Sequence, residues 1–193
     1  MLLERVYRRI THEFIERHKR GFTQRELSAQ TSLSIGTVNY ALKPLFRIGA
    51  ATRQAKGFTI SSLRKLLSYW AVRSDMMKRV VYTTRTGERV HDVEMHIPSR
   101  CIPTAYSAHW LRFNEAPADY DQVHLYGDQE ALKRLHPPSR EGAVEVIVLR
   151  GDEELGQYGA IAPLGQVFVD TWNLPGWMSS EFLKKMEERL FVE

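Results

Sequence analysis

Two helix starts close together, at Thr23 and Ser34, leave room only for a short helix, a tight turn and a second helix. Thr23 followed three residues later by Glu26 is a capping-box pattern ahead of QRELSAQ. Ser34 stands ahead of IGTVNYALKPLFRI, with Gly49 as its stop. Between them Thr31-Ser32-Leu33 forms the turn, where Ser32 holds a position often occupied by glycine. The second helix carries Pro44 in its interior, at a cost of about 3 kcal/mol. Val38, Ala41, Leu42 and Leu45 fall on one helical face and are expected in the core. Pro44 is expected on the outer flank, freeing the Tyr40 carbonyl toward solvent and allowing a bend.

The flanking segments extend this pattern. Residues 2–19 place Leu3, Val6, Tyr7, Ile10 and Phe14 on one helical stripe, with Gly21 as the expected C-terminal cap residue. Downstream, AATRQ, AKG and FTI predict strand, turn and strand, with Lys56-Gly57 near the tip. Residues 1–60 therefore resemble winged-helix transcription regulators in helix order, turn length and hairpin. Small Ser28 lies where the two helices approach, and Leu33 and Val38 hold the apolar positions that set their angle.

Charge follows the same division. Residues 1–80 hold 16 Lys/Arg against 5 Asp/Glu, and residues 81–193 hold 11 against 18, which together make the net +4. No acidic residue lies between Glu26 and Asp75, while Lys43, Arg47, Arg53, Lys56, Arg64, Lys65 and Arg73 do. That balance points to a polyanionic partner, double-stranded DNA. On the third helix Gly36, Tyr40, Lys43 and Arg47 share the face opposite the core, flanked by Thr37 and Asn39. Asn39 can pair with adenine and the Thr37 methyl can touch thymine, while Gly36 lets the backbone approach a groove. Lys43, Arg47, Arg53 and Lys56 are expected on phosphates.

Residues 61–78 predict a connecting helix with Leu63, Leu66, Leu67 and Trp70 on one side, suited to core packing or to a homodimer contact. Residues 79–193 predict a mixed α/β domain, making the whole chain α+β. Its expected elements are strands at 80–84, 89–97, 122–126 and 143–149, and helices at 102–113 and 128–135. A last helix is capped by Ser179/Ser180, and VFVDTW (167–172) is ambiguous. The four tryptophans read as core residues.

Chemistry is sparsely signalled. Asp92, Glu94, Asp121, Asp152 and Asp170 invite a metal-dependent nuclease reading; Asp92 and Glu94 would share a strand face, but no lysine follows at short spacing. His91 and His96 would fall on opposite faces, so no metal site is expected. Walker, GxSxG and glycine-rich nucleotide patterns are missing, so neither cofactor nor catalytic residue is expected. A single cysteine, Cys101, rules out an intrachain disulfide and suits a cytoplasmic protein. The start MLLERVYRRI has no apolar run of secretory length, and no segment is apolar enough to span a membrane.

IPTAYSAHWL (102–111), ADYDQVHLY (118–126) and VFVDTWNLPGW (167–177) resemble the C-terminal domain of AbiE-type antitoxins, with Ala105 where that pattern carries glycine. The resemblance implies an autoregulating DNA-binding antitoxin of a type IV abortive-infection system, whose second domain opposes a nucleotidyltransferase toxin. A DNA-targeted nuclease and an effector-sensing repressor are the alternatives.

Overall fold

The computed structural model describes residues 2–191 and has an α+β fold, with nine α-helices and two small sheets among them. Helix α1 (Leu2–Ile15) buries Val6, Tyr7 and Ile10. It ends four residues earlier than the apolar stripe suggests. His18 adopts a left-handed backbone (φ 54°), and Gly21 is not a helix cap but opens strand β1 (Gly21–Phe22). In α2 (Gln24–Thr31) the Thr23 hydroxyl accepts from the Glu26 N–H at 3.1 Å. The Glu26 carboxylate turns to Lys19. Ser32 takes the left-handed turn position (φ 51°), and the Ser28 hydroxyl donates to the Leu33 carbonyl at 2.6 Å.

Helix α3 (Ile35–Arg47) starts at Ser34, whose Oγ accepts from the Thr37 N–H at 3.1 Å. Strands β2 (Ala51–Gln54) and β3 (Gly57–Ile60) form an antiparallel hairpin, and β1 pairs with β3 to give the order β1-β3-β2. Gly57 closes the turn at φ +106°, where a Cβ would stand 2.1 Å from the Phe22 carbonyl oxygen. Only glycine fits there.

Beyond α4 (Leu63–Arg73), capped by Ser62, lies a four-stranded sheet of order β4-β7-β6-β5, built from β4 (Val80–Thr86), β5 (Ile102–Thr104), β6 (Gln122–Tyr126) and β7 (Val144–Leu149). The central pair, β6 and β7, is parallel, with Val123 opposite Val146 and Leu125 opposite Val148. The helices of this half are α5 (Val90–Met95), α6 (Ala105–Phe113), α7 (Gln129–Leu135), α8 (Leu164–Trp172) and α9 (Trp177–Leu190).

Four local expectations are corrected. Residues 89–97 are not a strand: Val90, Val93 and Ile97 are half-buried or buried at helical spacing, and the segment forms α5. Residues 102–104 are not helical but an edge strand, where a proline such as Pro103 is tolerated. The last helix begins at Trp177, before Ser179 and Ser180, with Gly176 as its N-cap; the Ser179 hydroxyl donates to the Gly176 carbonyl at 2.8 Å. Trp70 is buried, but Trp172 and Trp177 are 40% and 66% exposed.

The ambiguous VFVDTW lies in α8, which is buried on nearly every side, as an apolar helix through the middle of a core should be. It touches both halves of the chain. Val167, Phe168 and Val169 share one core with Val6, Ile10, Leu42, Leu45 and Trp70. Where α8 crosses α1, a Cβ on Gly165 would stand 2.3 Å from the Thr11 hydroxyl, so glycine sets the approach.

A polar seam runs through that crossing. Arg8, 2% exposed, donates to both carboxylate oxygens of Asp152 (2.8 and 2.7 Å) and, through Nε, to Gln166 (2.9 Å). Gln166 donates to Asp170 (2.9 Å), which also accepts from the Thr104 hydroxyl (2.6 Å) and the Tyr126 hydroxyl (2.8 Å). Burial pushes the Asp170 carboxyl up, against these donors and nearby Arg79. Burial also acts upward on Asp152, but its bond and attraction to Arg8 prevail and hold it below the usual carboxylate range. Arg5 pairs with Glu154, and Arg79 with Glu4. Opposite charges from distant parts of the sequence thus pin α1 in place.

Candidate nucleic-acid interface

Helix α3 buries the expected face completely: Val38, Ala41, Leu42 and Leu45 are each 0% exposed. Their burial turns Gly36, Tyr40, Lys43 and Arg47 to solvent, while Thr37 and Asn39 are half-buried at the margins. The Thr37 hydroxyl lies 2.9 Å from that of Ser34, so it belongs to the helix cap. Asn39 makes no side-chain hydrogen bond among the described residues, leaving its amide available. A Cβ on Gly36 would meet only the Ser34 hydroxyl, at 3.6 Å; packing does not demand glycine there.

The hairpin flanks this face. The Arg53 guanidinium, on β2, lies 4.3 Å from the ring centroid of Phe46 on α3, so β2 and the far end of α3 present cations side by side. Lys56 is exposed in the turn next to Gly57.

The charge asymmetry resolves into two populations. Arg5, Arg8 and Arg64 pair with Glu154, Asp152 and Glu187 from the acidic half. Lys43, Arg47, Arg53 and Lys56 have no carboxylate partner among the described residues, and Arg73 likewise has none. Neutralisation inside the molecule therefore leaves the α3 and hairpin cations untouched. An uncompensated positive face attracts a polyanion over a Debye length of about 8–10 Å at ordinary ionic strength.

Pro44 does not end α3, which continues to Arg47. Its ring is half-buried and lines a cleft of about 300 Å³ between α1, α3 and α4, with Tyr40, Lys43, Arg47, Tyr69 and Arg73. Solvent therefore meets the proline flank through a cleft and not on an open face. The buried Tyr7 hydroxyl, whose pKa burial raises, donates to the Ala41 carbonyl at 3.0 Å, an anchor from α1 within the turn preceding the proline. Tyr69 and Arg73 reach this cleft from α4. Arg73 belongs to the acid-free window of the sequence, and its place at this cleft depends on how α4 packs against α1 and α3.

Comparison with protein-family models, with curated proteins and with solved structures gave no match. No helix among the described residues is long and apolar enough to cross a membrane.

Asp92 and Glu94, of the nuclease reading, are taken up by different partners. Asp92 is bound by Arg89 at 2.7 Å, whereas Glu94 is buried, accepting from Tyr120 at 2.8 Å and lying 2.8 Å from His91 Nδ1. No group of three or more His, Cys, Asp or Glu among the described residues is placed to hold a metal ion. Cys101 is buried, and that burial pushes its thiol up, away from the reactive thiolate.

Proposed function

We propose that this chain is a DNA-binding transcription regulator in which residues 1–60 form a winged helix, α3 enters the major groove and the β2–β3 hairpin is the wing. The observation that carries this reading is the unpaired cationic face on α3 and the hairpin, set beside exposed Gly36, Tyr40 and the open amide of Asn39. The order α1-β1-α2-α3-β2-β3, with β1 joining the hairpin, supports it. Phosphate contacts fall to Lys43, Arg47, Arg53 and Lys56, and base contacts to Thr37, Asn39 and Tyr40.

Duplex binding is expected to weaken linearly in log–log form as salt rises, with a slope of about 0.9 per phosphate neutralised. Replacing Lys43 and Arg47 together by alanine removes two such contacts, so the slope should fall by about 1.8. Fluorescence anisotropy across a salt series measures it. A wild-type affinity indifferent to salt would sink the reading.

Gly36→Ala separates interface from fold. The added methyl meets only the Ser34 hydroxyl, at ordinary contact distance, and should leave stability unchanged or raise it by up to about 1 kcal/mol. The same methyl would stand between helix backbone and groove, so affinity should fall. Affinity and melting temperature moving together would place Gly36 outside the interface.

For the role of the second half we propose an autoregulating antitoxin that opposes a nucleotidyltransferase toxin. What supports it is that the three segments carrying the AbiE resemblance meet at one buried point: Thr104, Tyr126 and Asp170, one from each, are joined by hydrogen bonds. Ala105 also has a left-handed backbone (φ 49°), the conformation glycine adopts most freely and the position where that pattern has glycine. Co-expression with a nucleotidyltransferase encoded beside this gene should restore growth; continued growth arrest at equal expression would refute the antitoxin role.

A further inference from the structure

The cleft beside Pro44 is walled on one side by α3 and on the other by α4, and the side chains at its mouth are cations and phenols. Lys43 and Arg47 come from α3, Arg73 is the last residue of α4, and Tyr40 and Tyr69 lie among them. All three cations are exposed and lack a carboxylate partner among the described residues. The Arg73 guanidinium sits 5.6 Å from the Tyr69 ring centroid, which orients it without neutralising it. Glu4, which lines the adjoining cleft, is taken up by Arg79 and Ser74. The buried Tyr7 lines both clefts.

We propose that this cleft is a second phosphate-binding strip of the DNA interface, in which Arg73 and Tyr69 take the backbone beside the phosphates held by Lys43 and Arg47. The inference rests on the DNA-binding reading and extends it to α4, which that reading leaves as a connecting helix. Arg73 supplies charge and a planar donor set, and Tyr69 supplies a hydroxyl donor. Both are groups that position a duplex without reading its sequence. Pro44 contributes by geometry: it has no N–H, and its ring fills the α3 wall of the strip between Lys43 and Arg47.

The test uses the full chain and a mixed-sequence DNA duplex, with affinity measured over a salt series for wild type and single variants. Arg73→Ala should lower the slope of log affinity against log salt by about 0.9, and Arg73→Lys should restore most of it. Lys184→Ala, which removes an exposed cation of α9 that has no partner among the described residues, should leave the slope unchanged. If Arg73→Ala keeps the wild-type slope while Lys43→Ala and Arg47→Ala each reduce it, the strip is overturned and the α3 interface stands. If Lys184→Ala lowers the slope as much as Arg73→Ala, the effect is net charge and the strip is overturned. If none of the α3 or α4 variants changes the slope, both readings fall. Melting curves accompany each variant; among the described residues Arg73 makes no side-chain hydrogen bond or ion pair and lies over the Tyr69 ring, so its loss should not unfold the chain.

Discussion

Truncating Arg8 to alanine should lower the free energy of unfolding by about 3–5 kcal/mol, the range for breaking a buried ion pair from one side. Arg8 is 2% exposed, and three of its N–H groups are committed, two to Asp152 and one to Gln166. Removing it leaves the Gln166 carbonyl oxygen without its donor and the Asp152 carboxylate with only the Glu154 N–H, in a mostly dry place. The loss is therefore desolvation left uncompensated as well as the attraction itself. Urea denaturation of the single variant measures it. Removing both charges, as Arg8→Met with Asp152→Leu, should recover much of the stability, because apolar replacements of a buried pair are often close to neutral. A cost below about 1 kcal/mol for Arg8→Ala would mean that α1 is held by its apolar contacts alone.

Acid should begin to weaken the fold below about pH 6.5, before its carboxylates are titrated. His124 is buried on β6 with Nδ1 unpartnered and the Tyr106 ring against it, and burial lowers its imidazole to about 3. His109, enclosed near Phe113 and Phe182 with both ring nitrogens unpartnered, is lowered to about 4, again mainly by burial. In the unfolded chain each protonates near 6.5. Between those values the unfolded state binds more protons, so stability is full above about pH 6.5 and is lost as pH falls toward 4 and then 3. Taking His124 alone, moving from pH 7 to pH 5 should cost about 2 kcal/mol. His124→Phe keeps a flat apolar ring and should reduce the dependence in that interval by about half, leaving the part carried by His109. An unchanged slope in this variant would show that His124 does not carry it.

The features readable from sequence alone were those set by local periodicity and capping. Ser34 and the Val38-Ala41-Leu42-Leu45 stripe specify α3 because cap and core face are both encoded within a dozen residues. Segment 89–97 satisfied both a strand alternation and a helical spacing, and only packing against β6 decides for the helix. VFVDTW was ambiguous because a helix buried on all sides has no polar face to mark its period. Arg73 was legible as charge but not as a neighbour of Lys43, since that depends on the crossing of α3 and α4. Arg8 left no sequence signal at all: its partners lie 144 and 158 residues away.

Those separations bear on the order in which the protein is made. A ribosome adding about 5–20 residues per second exposes the first helix many seconds before Asp152 and Gln166 exist. Through that interval Arg8 has to remain hydrated, because a lone guanidinium cannot be enclosed without its counter-charge. Helix α1 therefore leaves the ribosome well before its partners, and its docking waits for Asp152 and Gln166.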